Sequence, residues 1–530
     1  MKDFQEFGVM IDCSRNGVIK IDALKKFIDF ISAFGYNQLQ LYTEDTYEIE
    51  GEPHFGYMRG RYTKEEIAEI DEYAASKGVE LVPCIQTLAH LATIFRHGEY
   101  GELRDIDDCL LVEYEKTYAL IEKMIKTCAE NFTSKKINLG MDESMRLGFG
   151  RYFLKNGFKT KAELLSGHVN RVYEIAKKYG FTNLKVFHDQ FAWSAFADDF
   201  YYKPTEEKDE KFCASLPKDL EIIYWDYGNW EMEDRYNFHM KKYAEINGNL
   251  SFACGAYRWS GYFASNRYSI QEARKTIADC KKNGIDKYLV TTWGDSGMES
   301  SIFSILPTLY SIAKIAKDER EDFDEFEKIV GIRYQSLMLF DEPNYPQDYE
   351  GFPRQLTSAI LYSDLFQNQI GGIVYKGLNA FFKEKAESFH NVKTGAYSDI
   401  FGVAYALCDL CSVKAELGND LRDFYEKKDR QGLLACAEKI QELIEKCALY
   451  EKAFRRQWLN EKKAFGYECI LMKRGALTQR WQYCKDIITD YLESKIDCIE
   501  ELEVAVSYEY NDINTIALGF RSGYSYNVLS

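Results

Sequence analysis

Two adjacent carboxylates, Asp142 and Glu143, follow the apolar run KINLG (136–140). Two acids this close do not both stay ionised unless their surroundings differ, and such a difference is what an acid/base pair requires. Gly140 and Met141, placed just before them, let the backbone turn. Other residues able to do chemistry stand at the ends of other apolar runs. Arg15 follows FGVMID, Asp45 follows QLQLY and His90 follows VELVP. His188-Asp189 closes LKVFH, Trp225-Asp226-Tyr227 closes LEIIYW, Tyr257-Arg258-Trp259 follows SFACGA, and Trp293 and Asp295 follow KYLVTT. Singly these signals are weak: an acid at a strand end more often caps a helix, and a Trp there more often packs. The acid pair could itself serve the start of a helix in SMRLGFGRY. The information lies in run after run ending in the same mixture. Charged groups suit hydroxyls, rings suit the apolar faces of sugars, and acids suit bond cleavage.

The elements that must position these residues alternate along the chain. Eight short, β-rich runs start at residues 7, 38, 79, 136, 184, 220, 251 and 287, each nearly continuous in hydrophobicity, as strands buried on both faces of a parallel sheet are. Amphipathic helices connect them. IDALKKFIDFISAF carries Ile21, Leu24, Phe27, Ile28 and Ile31 on one face, and Thr63 with Glu66 forms a capping box ahead of EEIAEIDEYAAS. Gly35, Gly78, Gly180, Gly248 and Gly284 follow helices just before strands. An open doubly wound sheet would also alternate, but eight units followed by a change of texture predict a closed (β/α)8 TIM barrel, whose chemistry sits at the C-terminal strand ends. After about residue 315 the runs give way to long helical patterns, so the expected organisation is a catalytic barrel over 1–317 and an all-α C-terminal domain over 318–530.

Composition narrows the function classes. The net charge of −17 disfavours nucleic acid and anionic membranes as partners. No apolar run approaches a membrane span, and the start MKDFQEFGVMID lacks a signal-peptide core. The 14 Cys sit scattered in apolar patterns, which predicts reduced thiols in a cytoplasm rather than a disulfide framework. Cys408 and Cys411 form one C-x-x-C inside a helical pattern with no second pair, and read as helix rather than zinc or redox site. The 7 His include no H-x-H or H-E-x-x-H, so neither a metal nor any other cofactor is expected.

The motifs resemble those of glycoside hydrolase family 20, the β-N-acetylhexosaminidases, and most closely the hexosaminidase D-like branch with a helical C-terminal domain. INLGMDES matches the family's apolar strand followed by Gly-Gly-Asp-Glu, with Met141 in place of the second Gly. VMIDCSR, VPCIQTLAH and TTWGD match its patterns on strands 1, 3 and 8, so the resemblance spans roughly 5–315. The α/β domain that often precedes this barrel is not expected, because strand 1 begins near Met1. The resemblance implies an exo-acting, retaining enzyme that removes a terminal N-acetylhexosamine from a small carbohydrate or glycoconjugate, with the substrate's own acetamido group as nucleophile. It implies Glu143 as general acid/base and Asp142 as the residue that orients the acetamido group. Arg15 and Asp295 would hold sugar hydroxyls, and Asp45 and His90 would support Glu143. Trp225, Trp259 and Trp293 would wall the pocket, and Tyr227 or Tyr257 would donate to the acetamido oxygen. It leaves a homodimer open.

Two other readings stand beside it. A retaining glycosidase with a protein nucleophile, Asp189 or Asp226, would set two carboxyls on different strands about 5 Å apart. A non-catalytic sugar-binding barrel would keep the aromatics without needing the acid pair.

Overall fold

The structure, a computed structural model, describes residues 4–196, 207–228, 234–346 and 356–506. The chain divides into two compact units. The first comprises Met1–Ala256, Ile270–Trp293 and Leu309–Glu321; the second comprises Tyr257–Ser269, Gly294–Thr308 and Asp322–Ser530.

In the first unit eight parallel strands close into a barrel in chain order. They are β1 (Glu6–Asp12), β2 (Gln38–Thr43), β3 (Glu80–Ile85), β4 (Lys136–Asn138), β5 (Asn183–Phe187), β6 (Glu221–Trp225), β7 (Leu250–Gly255) and β8 (Lys287–Thr292), and β8 pairs with β1. Every apolar run read from the sequence is a strand. The helix Ile21–Phe34 buries Leu24, Phe27, Ile28 and Ile31, as its spacing predicts, while Ile21 at its first position is only partly buried; Thr63 and Glu66 form the reciprocal capping box. Such a cap contributes about 1 kcal/mol. The five glycines between helix and strand all have positive φ.

Two features depart from the pattern of continuous hydrophobicity. At the N-terminal end of the barrel the interior is polar: Gln38, Gln40, Lys185 and Glu221 are buried. Lys185 Nζ lies 2.5 Å from Glu6 and 2.9 Å from Glu221. Burial opposes the charge on Glu6, yet the ammonium groups of Lys185 and Lys136 hold its pKa down to about 2. Second, β4 has only three residues and pairs with β3 through the single register Cys84↔Asn138. The backbone leaves the sheet there because Gly140 (φ 72°) and Met141 (φ 69°) turn left-handed.

The second unit contains the helices Ser398–Lys414, Arg430–Glu461 and Tyr467–Leu492. No strand follows β8 among the described residues. The long helical pattern DEFEKIVGIRYQSLM (324–338) forms two helices rather than one, because Gly331 ends the first in a left-handed turn. The helical pattern ALTQRWQYCKDIITDYLESKIDCIEELEVAV (476–506) breaks likewise after Leu492, with Ser494 left-handed (φ 60°). Cys408 and Cys411 are buried within a helix, and burial pushes the Cys411 thiol up to about 12. Helical residues of this unit also hold its segment Gly294–Thr308. Arg474 donates to Glu299 (3.1 Å), Tyr362 donates to the other oxygen of Glu299 (2.7 Å), and Ser301 donates to Glu461 (2.6 Å). Among the described residues no helix is long and apolar enough to cross a membrane.

Candidate active site

The loop after β4 builds the centre of the site. Within a strand, successive side chains point to opposite faces. Here Glu143 is also left-handed (φ 54°), so the alternation is lost and the neighbouring carboxylates both reach one imidazole. His90 Nε2 lies 3.3 Å from Asp142 Oδ2 and 3.5 Å from Glu143 Oε2. The two acids differ in setting. The Asp142 side chain is 7% exposed and that of Glu143 45%. Left-handed backbone costs a residue with a Cβ roughly 1 kcal/mol or more, so this turn must be held by its surroundings.

Three groups hold it. Gln86, on the segment leaving β3, accepts the N–H of Met141 (3.2 Å) and donates to Asp142 Oδ1 (2.6 Å) and to the Tyr42 hydroxyl (3.0 Å). Asp189, just after β5, accepts the N–H of Glu143 (2.8 Å). His90 takes its own left-handed turn (φ 59°), and its N–H donates to Asp108 (3.1 Å). Burial alone would drive Asp142 towards its neutral form, but the His90 cation and the Gln86 amide outweigh it, and its pKa lies below the ordinary value. Burial likewise disfavours charge on His90, and Asp142 overcomes this, raising His90 to about 9. At neutral pH the pair is therefore an imidazolium and a carboxylate.

A second cluster stands on β1, β2 and β8. Asp12 Oδ1 accepts the N–H groups of Ser14 and Arg15, which turns the chain so that Arg15 lies over the rings of Tyr42 (4.9 Å) and Trp293 (4.7 Å). The guanidinium is 3.5 Å from Asp12 and 3.6 Å from Glu44. Burial raises the pKa of Glu44, and Arg15 opposes the rise. Tyr42 donates to Glu44 (3.1 Å), so hydrogen bonds run from Glu44 through Tyr42 and Gln86 to Asp142. Trp293 Nε1–H donates to the Tyr227 hydroxyl oxygen (2.7 Å), and the Tyr227 ring stacks on Trp225 (5.4 Å, 16°). An indole can only donate, so the Tyr227 oxygen is the acceptor in this bond, and Thr291 Oγ1 lies 3.2 Å from the same oxygen.

The expected residues thus separate. Asp142, Glu143 and His90 meet around one imidazole, while Arg15, Trp293, Tyr227 and Trp225 form a chain of ring contacts. Asp45 forms its ion pair with Arg59 (3.2 Å). Tyr257, Trp259 and Asp295 belong to the second unit, where the Tyr257 and Trp259 rings lie 3.9 Å apart and the Tyr257 hydroxyl is 3.2 Å from Ser260 Oγ. Among the described residues no group of three or more His, Cys, Asp or Glu is arranged to hold a metal ion.

Residues 4–226 match the family model described as glycosyl hydrolase family 20, catalytic domain, and residues 334–515 match the glycoside hydrolase 20C C-terminal domain. The chain belongs to glycoside hydrolase family 20. Among curated proteins it is similar to hexosaminidase D of Homo sapiens (25% identical over 217 residues, 39% of this chain and 42% of that one). It is also similar to hexosaminidase D of Bos taurus (26% over 219 residues, 39% and 59%). The matches thus span about half the length of these curated relatives. Similar solved structures include the family 20 exo-β-N-acetylglucosaminidase of Vibrio harveyi in complex with N-acetylglucosamine, at 15% identity and TM-score 0.46, covering 66% of this chain and 60% of that one.

Sequence alone assigns no role to Gln86 or Tyr42, and it offers Asp189 only as a rival nucleophile. Gln86 and Tyr42 stand in or beside apolar runs and look like filler until the barrel closes. Glu44 was visible at a strand end beside Asp45, but only the fold shows that Glu44, not Asp45, is the acid beside Arg15.

Proposed function

We propose that this protein is an exo-β-N-acetylhexosaminidase that releases a terminal non-reducing GlcNAc or GalNAc with retention, through substrate-assisted catalysis. The observation that carries the reading is the unequal acid pair: a buried Asp142 kept anionic by His90, beside a half-exposed Glu143. A buried anion suits a positive charge that grows on the substrate, and an exposed carboxyl suits proton exchange with a leaving group and water. Asp142 accepts the acetamido N–H and stabilises the cyclising group, whose oxygen attacks the anomeric carbon. Tethering beside that carbon supplies the effective concentration a separate nucleophile would lack. Glu143 protonates the departing oxygen and later takes a proton from the incoming water. Tyr227 is assigned as the donor to the acetamido oxygen, because its ring stacks on Trp225 and its hydroxyl is held beside the Trp293 indole. Arg15 binds sugar hydroxyls, and Trp225 and Trp293 wall the pocket. Asp45 acts through Arg59.

The alternative with a protein nucleophile has less support. Both oxygens of Asp226 are engaged, by Arg235 (2.6 Å) and Tyr224 (2.7 Å), and Asp189 is 2% exposed with one oxygen given to Glu143 N–H. The proposal assigns the chemistry to 1–317 and no step to 318–530. Twelve of the 14 cysteines are buried thiols, which suits cytoplasmic residence. The test is a panel of 4-nitrophenyl glycosides with and without the 2-acetamido group, read by NMR for product configuration. Turnover confined to 2-acetamido sugars, with retention and strong inhibition by a thiazoline mimic, is the expected result. A covalent sugar trapped on Asp189 or Asp226 would overturn the mechanism.

A further inference from the structure

Asp189 has two oxygens in different circumstances. Oδ2 accepts the backbone N–H of Glu143 (2.8 Å) and the side-chain amide of Gln190 (2.6 Å). Oδ1 is buried and has no hydrogen-bond partner among the described residues. Gln190 is in turn fixed by Lys161, whose ammonium lies 2.9 Å from its amide oxygen and 3.4 Å from the centre of the Trp193 ring. The carboxyl of Asp189 is therefore not a mobile group. It is clamped from the far side, with one oxygen aimed at the amide that carries the proposed acid/base.

We propose that Asp189 is a positioning residue for Glu143. It holds the left-handed turn that brings Glu143 beside Asp142, and its charge sets the field in which Glu143 keeps its proton. This rests on the reading of Glu143 as general acid/base. The turn needs such a clamp. Glu143 sits in a conformation that L-residues disfavour, and loss of the acceptor would remove the hydrogen bond that its N–H donates to Asp189, weakening the hold on the turn. A return to ordinary backbone geometry would carry the carboxyl away from His90, and a displacement of about 1 Å in a reacting group can cost on the order of 10²-fold in rate. Oδ2 accepts whether the carboxyl is ionised or neutral, so the clamp does not depend on pH. The field does. The charged groups facing Asp189 are Asp142 and Glu143 from the loop after β4 and Lys161 from the helix Lys161–Lys178. Burial first and Asp142 second raise Asp189 to about 7, so its charge builds up near neutrality and then opposes ionisation of Glu143.

The test is kcat and KM against pH for the wild type, Asp189→Ala and Asp189→Asn, on a 4-nitrophenyl and an alkyl N-acetyl-β-hexosaminide, with Glu143→Gln alongside. Asp189→Ala should lower kcat about 10²-fold on the alkyl glycoside, less on the nitrophenyl one, with KM nearly unchanged. Asp189→Asn retains an oxygen acceptor and should restore most of that rate. With no charge at 189, its basic limb should move to lower pH by about half a unit or more. Asp189→Asn showing the wild-type limb and no kcat loss overturns the inference, as does equal loss in both variants with unmoved limbs. Should Asp189→Ala fail to fold, the limb of Asp189→Asn decides alone. If Glu143→Gln itself turns over normally, the acid/base reading falls. If it is inactive while both Asp189 variants match the wild type, only the positioning role falls.

Discussion

Replacing His90 by Gln tests the electrostatic core of the site through stability rather than rate. His90 titrates at 6.5 when unperturbed and at about 9 beside Asp142, a span that corresponds to about 3 kcal/mol. The group's pKa is raised on folding, so its contribution is fully present below 6.5. It declines between 6.5 and 9 as the unfolded chain loses the proton first, and it is gone above 9. Asp142 is the other partner of the same interaction and adds nothing further. In His90→Gln the amide can still donate to Asp142, but no cation balances the buried carboxylate, and leaving a buried charge uncompensated costs about 3–5 kcal/mol. The assay is urea unfolding of both proteins from pH 6 to 9.5. The variant should be less stable by about 3 kcal/mol at pH 6.5, and the gap should close towards pH 9.5. A gap that stays constant over this range would refute the argument, because it would mean that His90 is neutral throughout and supports Asp142 only by packing or a neutral hydrogen bond.

Glu143→Gln should fold normally and lose about two to four orders of magnitude in kcat on substrates with poor leaving groups, with far less loss on 4-nitrophenyl glycosides; a stopped assay on a disaccharide checks this. Gly140→Ala should destabilise the protein by about 2–4 kcal/mol in denaturant unfolding. The added Cβ would lie 2.3 Å from Gln86 Oε1 and 2.7 Å from the Ile85 carbonyl oxygen at a φ of +72°, displacing the amide that braces Asp142.

The barrel was legible in the chain because its evidence is local. Strands buried on both faces write themselves as apolar runs, helices as 3.6-residue stripes, and their junctions as glycines such as Gly35 and Gly284 that take left-handed turns. Asp142, Glu143, His90 and Arg15 were legible for the same reason, since a (β/α)8 barrel presents its strand ends on one face. Tertiary structure decided what depends on residues far apart in sequence. The polar barrel floor at Lys185 and Glu221 hid inside apolar runs, because a salt bridge in the interior needs its partner from another strand. The breaks at Gly331 and after Leu492 hid inside helical periodicity, which marks a face but not where hydrogen bonding stops. The sequence placed two acids side by side. It could not show that one is buried against an imidazolium and the other exposed, nor that Gln86, 56 positions from Asp142, and Asp189, 46 positions from Glu143, hold them there. Burial and charge pairing are properties of the closed barrel, and they make the two carboxylates unequal.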